Sequence, residues 1–338
     1  MTNLAAPEMD PKDHIAEAEK AVATIAKARE GVARVIFGQE DVVNNTLITI
    51  LAGGHALLVG VPGLAKTKLV ETLGTVLGLD ANRIQFTPDL MPSDILGSEI
   101  LDQGDDGKRS FRFVKGPIFA QLLMADEINR ASPRTQSALL QSMQEYHVTI
   151  AGERHDLPKP FHVLATQNPL EQEGTYPLPE AQLDRFLMQV DVRYPERDAE
   201  RRILLGTTGS GEAGAEAAMT VDELMAMQAL VRRMPTGESV VNAILDLVRA
   251  ARPDSGEEIG ANDPRRHIAW GPGPRASQAL MLTVRARALL DGRLAPSVDD
   301  VLALAEPVLQ HRMALNFAAR AEGVTVQQVI ASIRENLG

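Results

Sequence analysis

The decapeptide GVPGLAKTKL, Gly60 to Leu69, has the residue types of a phosphate-binding loop. Gly60 and Gly63 allow backbone N–H groups to turn inward around phosphate oxygens. Lys66 supplies a point charge for β and γ phosphates, and Thr67 a hydroxyl for Mg²⁺. The candidate nucleotide contacts are Gly60, Val61, Pro62, Gly63, Leu64, Ala65, Lys66, Thr67 and Lys68. Ala65 departs from the usual pattern, which has a second glycine there. A methyl is tolerable if the position already lies in the first helical turn with negative φ, and that is the expectation. HALLV before the loop reads as a strand and KLVETLGTVLG after it as a helix, the context the pattern needs. A glycine-rich surface turn ahead of a lysine is the bland alternative.

The segment QLLMADEINRA favours the phosphate reading. Leu122 to Ala125 run into Asp126 and Glu127, which puts two carboxylates at the carboxyl end of a buried strand, the edge where open α/β sheets bind ligands. Asp126 is expected to hold Mg²⁺, directly or through water, and Glu127 to orient and deprotonate an attacking water. Acidic pairs also start helices, but their place after the loop supports metal and base roles. In FHVLATQNP, Asn168 follows another apolar strand, where its amide can donate to a γ-phosphate or hold the lytic water. An Asn-Pro turn is the alternative.

Phosphoryl transfer also gains from positive charge at the transition state, for which Arg185 in PLPEAQLDRF and Arg275 in GPGPRASQAL are candidates. Arg185 precedes its strand, FLMQVDV, whereas the groups above follow theirs. With parallel strands it lies at the opposite edge, roughly 20 Å away for a strand of about six residues. It then serves a neighbour's nucleotide, which predicts head-to-tail association and a ring. A surface pair with Asp184 or Glu180 is the alternative. Arg275, after a Gly-Pro-Gly-Pro turn at a helix start, could report the γ-phosphate to a second domain.

Positioning these groups requires a sheet. The apolar runs HALLVG, NRIQFT, QLLMAD, FHVLAT and FLMQVDV alternate with helical segments, which predicts a parallel sheet with helices on both faces. A helix is expected from Asp13 to Ile36 and another through Leu51. Two polar excursions, GSEILDQGDDGKRSFRF and YHVTIAGERHDLP, read as hairpins turning at QGDDGK and AGERHD. Beyond Pro195 the periodicity is helical, so residues 1–195 are expected to form the α/β domain, with 1–12 a flexible tail, and 196–338 an all-helical domain.

Composition narrows the rest. The 338 residues, 44% hydrophobic, suffice for a large core. No apolar run reaches the roughly 20 residues of a membrane span, and no signal-peptide layout opens the chain, so a cytoplasmic location is expected. Zero cysteines exclude thiol catalysis and disulfides. The histidines are scattered and read as structural. A net charge of −11 argues against nucleic acid as the partner.

In this order, GVPGLAKT, LLMADEINRASPRTQSALLQSMQE, VLATQNP, PLPEAQLDRF and GPGPRA resemble the MoxR family of AAA+ ATPases, from about Val35 onward. The resemblance implies an AAA+ P-loop NTPase α/β fold with a C-terminal all-helical lid, using ATP and Mg²⁺. It implies that Lys66 and Thr67 belong to Walker A, Asp126 and Glu127 to Walker B, and Asn168 to sensor 1. Arg185 corresponds to the arginine finger and Arg275 to sensor 2, acting in cis or in trans. FGQEDV, with Gly38 and Gln39, resembles the stretch that packs on adenine. The hairpins correspond to the helix-2 insert and to the hairpin before sensor 1. A hexameric homo-oligomer that remodels or activates a protein client is implied, with a partner carrying a von Willebrand factor type A domain and with metal or cofactor insertion as one outcome. A nucleotide-gated scaffold with little turnover and a nucleic-acid motor of the same branch are the alternative functions.

Overall fold

The computed structural model describes residues 11–103, 109–171, 173–207, 214–253, 260 and 263–337. Five strands form one parallel sheet: β1 (Ala56–Val59), β2 (Ala81–Gln85), β5 (Leu122–Asp126), β8 (His162–Gln167) and β9 (Met188–Asp191), in the spatial order β2-β5-β8-β1-β9. All five expected strands are present. The chain leaves β1 for the far edge of the sheet, so the loop after β1 opens at a topological switch point.

The strands alternate their side chains between two covered faces, which is why they read as continuous apolar runs. Ala56, Leu58, Leu122, Met124, Leu164, Met188 and Val190 join one hydrophobic cluster. Leu57, Leu123, Ala125, Val163 and Ala165 join the other. The edge strand β2 departs from this pattern, since only Ile84 in it is buried.

Helices α1 (Pro11–Ala33), α2 (Glu40–Leu51) and α3 (Lys66–Val76) lie on the first face. The short α4 (Pro92–Leu96) and α5 (Pro133–Glu145) cover the second. The Ser132 hydroxyl caps α5, accepting the Thr135 N–H. The first hairpin is β3 (Gly97–Gln103) with β4 (Arg109–Lys115), and its turn falls largely outside the described residues. The second is β6 (His147–Ile150) with β7 (Glu153–Asp156), turning at Ala151 and Gly152. The expected tail also falls largely outside the described residues, although Pro11 and Lys12 belong to α1.

After the one-turn α6 (Glu180–Leu183) and α7 (Arg197–Thr207), the helical lid comprises α8 (Val221–Arg233), α9 (Glu238–Ala250), α10 (Pro274–Leu290), α11 (Val298–Leu309), α12 (Phe317–Ala321) and α13 (Val326–Leu337). It also holds a short antiparallel pair, β10 (Ile268–Trp270) with β11 (Ala314–Leu315), which periodicity did not announce because each strand is too short to show any. The lid shares one continuous core with α1, α2 and α3, and α10 packs on both α1 and α2.

Beneath the sheet's amino ends, two buried histidines tie strands to helices. Nε2 of His55 faces the Met143 carbonyl while its Nδ1 accepts the Val163 N–H. Nδ1 of His162 faces the Gly54 carbonyl and its Nε2 the Gln228 amide. One donor and one acceptor nitrogen per ring requires the neutral form. Burial pushes His55 down to about 3 and His162 to about 4. The unfolded chain therefore binds more protons below about pH 6.5, and stability is lost as pH falls from there through the folded values. His162 alone accounts for up to about 3 kcal/mol of that loss. Denaturant melts across pH 7 to 4 should show a shallower fall for His162→Gln.

The phosphate loop corrects one expectation. Ala65 caps α3 with φ +56°, in the left-handed region, and not with the negative φ of a first helical turn. The cost to a residue with a Cβ is about 1–2 kcal/mol. Gly63, at φ +84°, has open space around it and serves conformation alone. Gly60 serves close approach, because a Cβ there would stand 2.5 Å from the Val192 carbonyl oxygen. Thermal unfolding should find Ala65→Gly unchanged or more stable by up to about 1 kcal/mol, and Gly60→Ala less stable by about 1–3 kcal/mol.

Candidate functional site

Strand register sets the first half of the site. Ala125 pairs with Ala165 and Ala165 with Leu57, so the carboxyl ends of β5, β8 and β1 are level. The Gly60 N–H donates to the Gln167 carbonyl and fixes the start of the loop against β8. Asp126, Glu127, Asn168 and the loop thereby come to one edge, as their positions after the strands predict.

The carboxylates are held by partners that motif reading missed. Thr166 donates its hydroxyl to Asp126 Oδ1 at 2.5 Å and accepts the Glu127 N–H at 2.8 Å. Arg83 donates to Asp126 Oδ2 from Nε at 3.2 Å and from a terminal nitrogen at 2.6 Å. Gln85 donates to Glu127 Oε2 at 2.8 Å, and Arg130 to the same oxygen at 3.0 Å. Across the β2–β5 pair the alternate residues Arg83 and Gln85 thus meet Asp126 and Glu127 in turn. The period-two spacing of Arg83 and Gln85 in NRIQFT, and a hydroxyl inside the apolar run HVLAT, were the available signals.

Lys66 donates to the Gly60 carbonyl at 2.5 Å, within its own loop. Burial lowers its pKa, and the nearby Asp126 and Glu127 carboxylates oppose the fall. Asn168 is 4% exposed, and its Oδ1 accepts the Leu170 N–H in a turn.

A cavity of ≈ 730 Å³ runs beside this edge, lined by Gly38, Gln39, Asp191, Arg193 and Tyr194 and by the lid residues Arg287, Glu306, Gln310 and Arg334. A second, of ≈ 400 Å³, is lined by Val59, Gly60, Val61, Leu64 and Pro169. The two share Gln189, Asp191, Arg193 and Tyr194, so the cavity at Gly38 and Gln39 adjoins the one at the loop. Gln39 donates its amide to the Arg193 carbonyl at 2.9 Å.

The donor set suits Mg²⁺ chemically: a threonine hydroxyl in the first turn of α3 and a carboxylate at the end of β5, both hard oxygens. Among the described residues no three His, Asp or Glu side chains form a dedicated cage. Magnesium in phosphate sites relies on one or two carboxylates with water and substrate oxygens, so the residues fit.

Arg185 lies at the other end of the sheet. β9 runs parallel to β1, with Ala56 opposite Met188, and the Leu187 N–H donates to the His55 carbonyl. Arg185, half-buried, lines a cavity of ≈ 280 Å³ with Gly54, His55, Tyr146 and Gln278. Arg275 lines the same cavity, 3.7 Å from Asp184. It stands in the first turn of α10, where the helix dipole disfavours a cation. The lid thus brings Arg275 beside Arg185, not beside its own chain's loop. Asp184 also accepts from Arg312, which no motif had singled out.

Known proteins are similar along most of this chain. The family model for the "ATPase family associated with various cellular activities (AAA)" matches residues 55–188, and the AAA lid domain matches residues 261–333. Chaperone MoxR1 of Mycobacterium tuberculosis is 41% identical over 316 residues, covering 94% of this chain and 82% of that protein. Protein MoxR of Paracoccus denitrificans is 31% identical over 296 residues, covering 83% of this chain and 86% of that protein. A crystal structure from Cytophaga hutchinsonii superposes with a TM-score of 0.88 at 38% identity, over 96% of this chain and 97% of the other. With its parallel P-loop sheet, its helical lid and these relatives, the chain belongs to the MoxR family of AAA+ ATPases.

Proposed function

We propose that the chain hydrolyses ATP in a homo-oligomeric ring, most simply a hexamer, and uses the cycle to remodel or activate a protein client. The observation that carries this reading is the separation of two half-sites on one sheet. Lys66, Asp126 and Glu127 gather at the carboxyl edge, while Arg185 and Arg275 share a cavity at the amino edge. A head-to-tail contact brings one chain's arginines to the next chain's phosphates and closes into a ring when the rotation closes.

In this reading Gly38 and Gln39 pack on the base, and the loop N–H groups and Lys66 bind the phosphates. Lys66 first gives up the Gly60 carbonyl. Thr67 and Asp126 would hold Mg²⁺, whose charge neutralises the β and γ oxygens when bound. Arg83 and Thr166 fix the Asp126 carboxylate for that task. Asn168 positions the attacking water, and Glu127 takes its proton as the oxygen bonds to the γ-phosphorus and the bond to the departing ADP oxygen breaks. Gln85 and Arg130 occupy Glu127 Oε2, so this oxygen becomes available to water only as one of them yields. Arg185 and Arg275 of the neighbour meet the charge that develops on the transferred group.

Client remodelling fits a family in which one relative carries the name Chaperone MoxR1. A von Willebrand factor type A partner is the family-based expectation for client delivery, and a cytoplasmic setting suits a chain without cysteine. No helix among the described residues is long and apolar enough to cross a membrane.

Phosphate release and fluorescent-nucleotide titration test the chemistry. Lys66→Ala should abolish binding, and Glu127→Gln should keep binding while lowering kcat by about 10²–10⁴-fold. Normal client activity in Glu127→Gln would instead support a scaffold without turnover. A pull-down on that variant should capture the client and any type A partner with it.

Arg185→Ala should lower kcat by about 10³-fold or more with nucleotide affinity unchanged. Co-assembled with Glu127→Gln chains, it should regain activity, because each variant supplies the half-site that the other lacks. Equal inactivity of the mixture would refute the two-chain site.

A further inference from the structure

Arg312 lies in the single 3₁₀ turn Gln310–Arg312 that follows α11, and it is 2% exposed. A guanidinium has five N–H donors in a rigid plane. All five have partners here. Nε donates to Asp184 Oδ1 at 2.7 Å. One terminal nitrogen donates to the carbonyls of Leu187 at 3.1 Å and Val308 at 2.5 Å. The other donates to the carbonyls of Phe186 at 2.6 Å and Asp184 at 3.4 Å.

Three of those four carbonyls belong to the four-residue segment 184–187, and Arg185 is the one residue of it left unbound by this fork. The segment leads directly into β9 and carries the side chain expected to enter a neighbour's site. The Asp184 carboxylate divides its oxygens between Arg312 and Arg275. One buried cation therefore grips the backbone on both sides of Arg185 and, through Asp184, the exposed Arg275. His311 adds a contact to the Phe186 carbonyl at 3.0 Å.

Simple core filling would not call for this group. Burying an ion is costly, and an apolar side chain of similar volume generally serves packing as well or better. What a planar five-donor group adds is fixed direction for the backbone it holds. Two residues before Arg312, Gln310 lines the nucleotide-side cavity and donates to the Gln189 carbonyl at 3.1 Å, so the same turn touches both edges of the sheet.

We propose that Arg312 is the positioning residue for the arginines this chain offers to its neighbour: from the lid, it sets where Arg185 and Arg275 stand. The inference rests on the two-chain reading of the site. A misplacement of about 1 Å in such a group can cost about 100-fold in rate.

The test compares Arg312→Met, which keeps the bulk, Arg312→Lys, which keeps the charge without the fork, and Asp184→Asn, which removes the shared carboxylate with its shape intact. Each is assembled alone and with Glu127→Gln chains. Alone, Arg312→Met should lower kcat about 100-fold with nucleotide affinity at its own loop unchanged within about twofold. Arg312→Lys should fail similarly. In mixture with Glu127→Gln, activity should return, since the partner's arginines are correctly held.

Wild-type kcat in both Arg312 variants would overturn the proposal. So would parallel loss of nucleotide affinity and turnover in all the variants that fold, which marks a structural role. Absence of recovery with Glu127→Gln, while Arg185→Ala does recover, would also overturn it. If Arg185→Ala itself fails to recover, the two-chain reading falls, and that outcome is distinct. Should Arg312→Met not fold, by circular dichroism and thermal melt, Arg312→Lys and Asp184→Asn carry the same comparison.

Discussion

Thr166 joins the two carboxylates to the sheet. It lies fully buried in β8, donates to Asp126 at 2.5 Å and accepts the Glu127 N–H at 2.8 Å. One hydroxyl therefore registers β5 against β8 at the height where both strands end. A one-residue slip between these strands would turn Thr166 to the opposite face and leave a buried carboxylate short of a donor. The Gly60 N–H bond to Gln167 carries the same register one strand further, to the start of the phosphate loop. The loop, Asp126 and Glu127 are parts of one hydrogen-bonded edge.

Parallel pairing has a second consequence. Every connection after a strand emerges at one end of the sheet, and every connection into a strand arrives at the other. Arg185 cannot join Lys66 within the chain, whatever its side chain does. The lid reinforces the division. Its helices share a core with α1, α2 and α3, and α10 delivers Arg275 to the amino edge, where Asp184 offsets its placement at a helix N-terminus. The same lid lines the large cavity at the carboxyl edge through Arg287, Glu306, Gln310 and Arg334. In the two-chain reading proposed above, a body that contacts both edges would relate the nucleotide held by one chain to the arginines offered to another.

The sheet was legible because its strands, the edge strand β2 apart, are short apolar runs with two covered faces, and such runs survive without knowledge of their neighbours. The placement of Lys66, Asp126, Glu127 and Asn168 at one edge was legible because it follows from position relative to those runs. Arg83, Gln85 and Thr166 were half-legible. Their spacing hints at a common face, but only the β2–β5 and β5–β8 registers show what they meet. Arg312 had no signal at all. It follows a helix at an ordinary position for a surface arginine, and its burial arises from α11 packing on β9. The conformation of Ala65 was misjudged because the sign of φ at a helix entry depends on how the loop leaves the strand, which composition does not reveal.

Backbone conformation supplies a last link between local structure and site. Four residues other than glycine have positive φ among those described: Ala65, Glu127, Tyr146 and Ala151. Ala151 turns a hairpin. The other three stand at the two ends of the sheet: Ala65 and Glu127 at the carboxyl edge, Tyr146 on the cavity at the amino edge. Glycine would relieve each, yet at Glu127 it would delete the carboxylate, so there the conformation and the side chain must coexist. The Thr166 hydroxyl and the Arg130 and Gln85 side chains hold that residue from three directions. A conformation that costs about 1–3 kcal/mol persists only where its surroundings over-determine it. At Glu127 backbone and side chain are both tied: Thr166 holds the N–H, while Gln85 and Arg130 hold the carboxylate.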